Sequence, residues 1–229
     1  MRRWFSATGT VILLSLLRPL LAAQSVQSWP EVDTYLKLSS NVRVSFYAAL
    51  TRENTTGSSA EIGPNIDFFL KPLVKLKRIT VFQLDQSKDR PVMLRLGYRY
   101  MPSTDGTVEH RGFAEATGRY PLLRGVLLSD RNRVEFRDIS GQFFWRYRNR
   151  LSSERTFAIH GYHFTPYLRA EAFYDEKVSK WSRTALTAGS TFPIGKRFEL
   201  EWYYEHQNDT ASPPNREVNG LGYVFSMYF

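Results

Sequence analysis

Cysteine is absent from the chain, so disulfides, thiolate metal sites and a cysteine-borne lipid anchor are excluded. Long apolar runs are missing too. Past residue 23 no stretch approaches the ~20 apolar residues that a helix needs to cross a bilayer. Histidine is scarce, with four in the chain. His160 and His163 are close in sequence, but three positions apart on a strand they point to opposite faces, which disfavours a shared metal. His206 stands beside Gln207, Asn208 and Asp209, where a general base is conceivable. No serine near it lies in a recognisable nucleophile motif. Gly189 to Gly195 lacks the lysine and helix of a phosphate loop. The sequence therefore offers no catalytic residue, no metal site and no cofactor.

What the chain does have is aromatic side chains, 15% of residues, more than a soluble domain usually carries and in keeping with the girdles of a membrane barrel. Its mean hydropathy is negative, which a barrel also explains, because only alternate residues of each strand face lipid. The net charge is +9. The charges fall at alternate strand positions, a pattern suited to a lumen and unlike a basic nucleic-acid footprint, so no nucleic-acid partner is expected.

The N-terminus predicts export. Arg2 and Arg3 form a basic segment, Val11 to Leu17 a short apolar one, and Ala22-Ala23 a small-residue cleavage site before Gln24. Residues 1–23 are thus a signal peptide and 24–229 one barrel domain. Arg2-Arg3 also fits twin-arginine export, but that route carries folded cargo, which a membrane barrel is not.

Alternation of apolar and polar residues, the mark of a strand with one apolar face, recurs over 31–38, 42–50, 60–70, 92–100, 111–120, 126–137, 141–151, 164–175, 181–192, 198–207 and 218–229. Turn signals such as Pro102-Ser103-Thr104-Asp105-Gly106 and Pro193-Ile194-Gly195 separate the segments. Loops are expected at 52–59, 101–110 and 208–217. Eleven segments conflict with the even number usual in bacterial barrels, and Leu76 to Leu84 supplies a twelfth. The expectation is an all-β fold, a closed antiparallel transmembrane barrel of about 12 strands, within roughly 10 to 14. The last strand ends on the row Leu221, Tyr223, Phe225, Met227 and Phe229. That ending resembles the C-terminal sorting strand of Gram-negative outer-membrane barrels, which implies that the barrel-assembly machinery inserts the chain and that lipid and lipopolysaccharide surround it.

The charges have an address. Arg133, Glu135 and Arg137 share one face of a strand, and Arg146, Arg148 and Arg150 one face of the next. A lipid-facing arginine at mid-bilayer costs ~2–4 kcal/mol, so these rows must line the lumen. Arg95, Arg99, Glu115, Arg119, Arg169, Glu171 and Arg183 join them, and Glu199, Glu201 and Glu205 form an acidic row near the end of the chain. With Glu31, Asp33 and Asp67 as further acids, an arginine wall faces an acidic one, and their attraction should draw opposite walls together.

Trp29-Pro30-Glu31-Val32-Asp33, Arg133-x-Glu135-x-Arg137, Arg146-Tyr147-Arg148-x-Arg150, and Glu171 followed by Arg183 resemble the family called domain of unknown function 2490, uncharacterised exported proteins of Gram-negative bacteria. The resemblance implies an outer-membrane barrel and supplies no reaction. The functional expectation is a porin-like barrel of structural or small-solute type with a narrow lumen and a small anionic solute as ligand. An outer-membrane lipid-modifying hydrolase and a surface adhesion barrel are the alternatives.

Overall fold

The computed structural model describes residues 26–53, 57–70, 84–211 and 213–229. The expected signal peptide, residues 1–23, lies outside them. The described residues form twelve strands: β1 (Val26–Lys37), β2 (Val42–Glu53), β3 (Gly57–Leu70), β4 (Val92–Pro102), β5 (Val108–Pro121), β6 (Val126–Ile139), β7 (Gln142–Arg155), β8 (Phe157–Ile159), β9 (Tyr162–Asp175), β10 (Lys180–Ile194), β11 (Phe198–Asp209) and β12 (Arg216–Tyr228). Eleven of them close a barrel, each pairing with its neighbours. The short β8 pairs only with the start of β9 and extends that hairpin past the rim.

The closed all-β barrel expected from the alternation is there, with two differences. First, β12 pairs with β1 in parallel, from Val26 opposite Asn219 to Tyr35 opposite Tyr228. The other seams are antiparallel. With eleven strands alternating in direction, the first and last run the same way, and closure then requires a parallel seam. Second, β3 and β4 hydrogen-bond to each other directly, so the barrel closes with no strand between them. Of the expected strand at Leu76 to Leu84, all but Leu84 lies outside the described residues.

Turn chemistry sets the register. Ile139 pairs with Gln142, leaving Ser140 and Gly141, both at positive φ (51° and 84°), in the two-residue turn whose twist matches its strands. His160 and Gly161 repeat this between β8 and β9 (φ 50° and 82°). The strands also run further than the alternation suggested. The turn between β4 and β5 shrinks from the expected 101–110 to 103–107, so Glu109 joins a strand.

Side chains partition as the period-two pattern requires. Val32, Phe46, Leu96, Phe136, Trp145, Leu186, Trp202 and Tyr223 project outward, exposed. On β12 the outward row includes Phe225, with Met227 and the exposed Phe229 at its end. The inner wall is polar. Asp67 and Glu135 are completely buried. Bulky rings reach into the bore over glycines: a Cβ on Gly220 would run into the Trp29 ring, and one on Gly222 into Tyr203. Closure is finished by the last residue. The Phe229 N–H donates to the Tyr35 carbonyl at 2.9 Å, and the Lys37 N–H to the Phe229 carbonyl at 3.0 Å.

Candidate functional site

The site is the lumen, built from residues that the register sets side by side. Glu135 on β6 lies opposite Arg146 on β7 and is the hub of the wall. Its carboxylate sits 2.6 Å from Arg146, 2.9 Å from Arg148, 3.6 Å from Arg133 and 3.9 Å from Arg111. Glu171 on β9 forms a second hub, with Arg150 at 2.8 Å, Arg131 at 2.9 Å and Arg148 at 3.0 Å. Glu115 holds Arg133 at 2.6 Å. Glu109 holds Arg137 and Arg111, each at 2.8 Å. Fork-shaped guanidinium contacts of this kind are among the stronger hydrogen bonds available to a protein.

The chain continues on the other side of the ring. Asp67 joins Arg95 at 2.5 Å and Arg43 at 2.7 Å. Arg99 donates to Asn65 at 2.7 Å and lies 3.3 Å from Glu61, its guanidinium over the Tyr47 ring. Arg169 meets Glu201 at 3.0 Å over the Tyr167 ring, and Tyr167 also donates to Glu201. Glu205 accepts from Thr187 and Gln207, Glu199 from the Tyr228 hydroxyl. Arg183 pairs with Asp209 at 2.5 Å, near the rim opposite Phe229 and away from the main cluster.

These pairs run around the wall, along one strand, between adjacent strands or past a single intervening strand, as from Arg131 of β6 to Glu171 of β9 and from Arg169 of β9 to Glu201 of β11, and do not reach across the bore. The expectation that charge attraction draws opposite walls together is therefore corrected. Cross-strand neighbours sit ~5 Å apart, so an arginine reaches an acid beside it long before one opposite, and the nearer contact wins.

The bore is bridged by a different element. Between β3 and β4 the chain turns into the barrel as a 3-10 turn, Gln86–Asp89, preceded by Asp85. Asp85 pairs with Arg43 of β2 at 2.7 Å. Lys88 pairs with Glu154 of β7 at 2.9 Å. Arg119 of β5 donates to the Ser87 carbonyl at 3.0 Å. In an eleven-strand ring β2 and β7 stand on opposite sides, so residues 85–88 form a crossbar at the Phe229 rim. Burial alone would raise the Asp85 pKa, but Arg43, Arg119 and Lys88 together outweigh it and hold the carboxyl below the usual carboxylate range. Burial would lower the Lys88 pKa, and Glu154, Glu199 and Asp85 together push it up instead. Above the crossbar a luminal cavity of about 390 Å³ remains, lined by residues including Glu31, Asp33, Arg95, Arg131 and Glu201. Outside it a vestibule of about 900 Å³ is edged by Lys37, Arg90, Lys196 and Arg197.

A family model described as a protein of unknown function, DUF2490, matches residues 26–218, nearly all of the barrel. The chain belongs to the DUF2490 family. Among curated proteins no sequence matches it. Among solved structures, the DUF2490 barrel is similar to a bacterial polysaccharide outer membrane secretin, at 7% identity and a TM-score of 0.50, over 80% of this chain and 63% of that one. It thus spans less than two thirds of that structure's length. A second similar structure is the beta domain of the Bordetella autotransporter Brka, at 16% identity and a TM-score of 0.48, over 82% of this chain and 83% of that one. At 7% identity the secretin likeness is one of fold: the DUF2490 chain has a barrel resembling those of the outer membrane.

Within the DUF2490 barrel the remaining candidates fall outside the lumen. His206 sits on the outer face, where its Nδ1 meets the Asn219 side-chain oxygen at 3.0 Å and Tyr204 donates to the same atom. His160 occupies a turn. Among the luminal residues that sequence reasoning left out of the network are Arg43, Glu61, Glu109, Arg111, Arg131, Glu154, Asp85 and Lys88. Alternation carried a signal for Arg43, Arg111 and Arg131, each in step with a polar row. Nothing in the pattern marked the crossbar.

Proposed function

We propose that this DUF2490 protein is an exported outer-membrane barrel whose narrow, arginine- and glutamate-lined lumen either serves a structural role or admits only small solutes, anions above all. The observation that carries this reading is the crossbar at Asp85–Lys88, seated in a lumen already crowded by its charge network. Around eight strands side chains fill a barrel, and at sixteen to eighteen an aqueous channel opens. Eleven strands with a crossbar lie nearer the first case. The outward aromatic rows support a lipid surround, lipopolysaccharide included, and the Phe229 strand supports insertion by the barrel-assembly machinery.

Heat-shift electrophoresis of the membrane fraction tests the location, since a folded barrel changes mobility on boiling. Planar-bilayer recording tests the lumen. The wild type should conduct weakly and prefer anions, because arginines line the path. The pair Asp85→Asn with Lys88→Gln should raise conductance several-fold by freeing the crossbar while leaving the wall pairs intact. A wide cation-selective pore in the wild type, or a double variant that conducts no better, would end this reading.

The crossbar should also ignore ordinary pH changes. The folded pKa of Asp85 lies below its unfolded value of ~3.9, so its contribution is complete above that pH and is lost only as pH falls through the folded value. Lys88 has a folded pKa above ~10.4, so its contribution is complete below that pH and is lost as pH rises through the folded value. The stability that Asp85 and Lys88 add, read as the difference in urea midpoint between the wild type and the Asp85→Asn, Lys88→Gln variant, should stay level between about pH 4 and 10. A step near neutrality would show that other groups seat the segment.

A further inference from the structure

On the barrel's outer face a polar cluster interrupts the apolar belt at mid-strand. Asn132 of β6 and Asn149 of β7 oppose each other at mid-strand, and both point away from the lumen, as does the exposed Asp130. They are joined to one another. Asn149 donates to Asp130 at 2.7 Å and to the Asn132 side-chain oxygen at 3.1 Å, Asn132 donates to Asp130 at 3.2 Å, and the Tyr147 hydroxyl donates to Asn132 at 2.5 Å. Small residues flank the cluster on both sides. Gly118 and Ala116 of β5 lie beside Asp130 and Asn132, and Ala172 of β9 beside Asn149. Nothing stands over Gly112 or Gly118 within 4 Å.

A carboxylate with two amides is poorly suited to hydrocarbon, which offers no hydrogen bonds, and such groups within a membrane usually face a partner. From the structure we infer that this face, from β5 to β7, is the contact surface of a symmetric pair of these chains. The occupant is a second copy because the cluster complements itself. Among the described residues, one Asn132 N–H and the Asn149 side-chain oxygen have no protein partner, and Asp130 has lone pairs to spare. A two-fold axis through the patch sets donors of one copy against acceptors of the other, as an isologous interface requires. The glycines and alanines let the two walls approach, as small residues do in membrane contacts. Lipid headgroups cannot serve, since the amides lie at mid-strand and headgroups at the rims.

The inference rests on the membrane reading above, and its test separates the two. The chain has no cysteine, so Ala116→Cys gives a single reactive site beside the cluster, and Val32→Cys one on the far side of the barrel. In native membranes a short bis-maleimide should join two copies through Ala116→Cys and none through Val32→Cys. Adding Asp130→Leu, Asn132→Leu and Asn149→Leu should abolish the cross-link while the heat shift persists. A heat-shifting barrel that stays monomeric, or one that links through Ala116→Cys to a different protein, overturns the interface and leaves the membrane reading standing. Loss of the heat shift in the wild type overturns the membrane reading itself. Should the leucine variant fail to fold, the comparison of the two cysteine positions decides alone.

Discussion

Deleting Phe229, or replacing Phe225 and Phe229 with Asp, should abolish barrel assembly. Phe229 makes the last two backbone bonds of the parallel seam, to Tyr35 and Lys37, and its side chain ends the outward aromatic row of β12. In hydrocarbon each backbone group left without a partner costs several kcal/mol, so a frayed seam exposes a row of such groups along both β1 and β12. Aspartate on the outward row adds the cost of a carboxylate at the lipid surface. The measurement is the membrane-integrated, heat-shifting fraction of each variant beside the wild type. Near-complete loss, with the chain recovered as aggregate or degraded, is the expected outcome. Wild-type insertion of either variant would remove Phe229 from any role in closing the barrel.

The second large effect should follow a single buried carboxylate. Glu135→Leu removes the hub shared by Arg146, Arg148, Arg133 and Arg111, leaving guanidiniums buried with fewer partners. Breaking a buried pair in this way costs about 3–5 kcal/mol. The triple change of Arg146, Arg148 and Arg150 to Gln touches three residues and should nevertheless cost less. Glu135 keeps Arg133 and Arg111, Glu171 keeps Arg131, and each glutamine retains an amide donor. The triple variant should also reduce anion preference, which Glu135→Leu should not. Urea unfolding in detergent, read as the loss of the heat-shifted band, compares the stabilities. If the triple variant is the less stable of the two, the hubs are not the acids.

Much of this was legible in the chain, for an identifiable reason. Alternation is a one-dimensional signal, and a strand with one lipid face writes it directly, so Val92 to Tyr100 or Phe198 to Gln207 could be read without a structure. Inward direction followed from energy, since Arg146, Arg148 and Arg150 cannot all face lipid. Pairing could not be read. That Glu135 meets Arg146 and Asp67 meets Arg95 depends on register, which the Ser140-Gly141 turn sets for the first of these seams. Treating the arginine and glutamate rows as two opposed walls ignored those neighbours. The crossbar was invisible because Asp85 and Lys88 follow no period and gain their meaning only from Arg43 and Glu154, 42 and 66 residues further along or back in the chain. The eleven segments with clear alternation are the eleven strands that close the barrel, and the short β8, which alternation did not mark, brings the described strands to twelve.

On the membrane reading proposed above, the parallel seam has a consequence for how the chain would cross the bilayer. Strands inserted as hairpins cross two at a time and return to the side from which they came. Counted from the C-terminus, β12 with β11, β10 with β9, β7 with β6, β5 with β4 and β3 with β2 account for ten strands in five such excursions. β1 is left to cross alone. β1 delivers Val26 to the rim opposite Phe229, so on that reading the two ends of the sheet would look into different compartments.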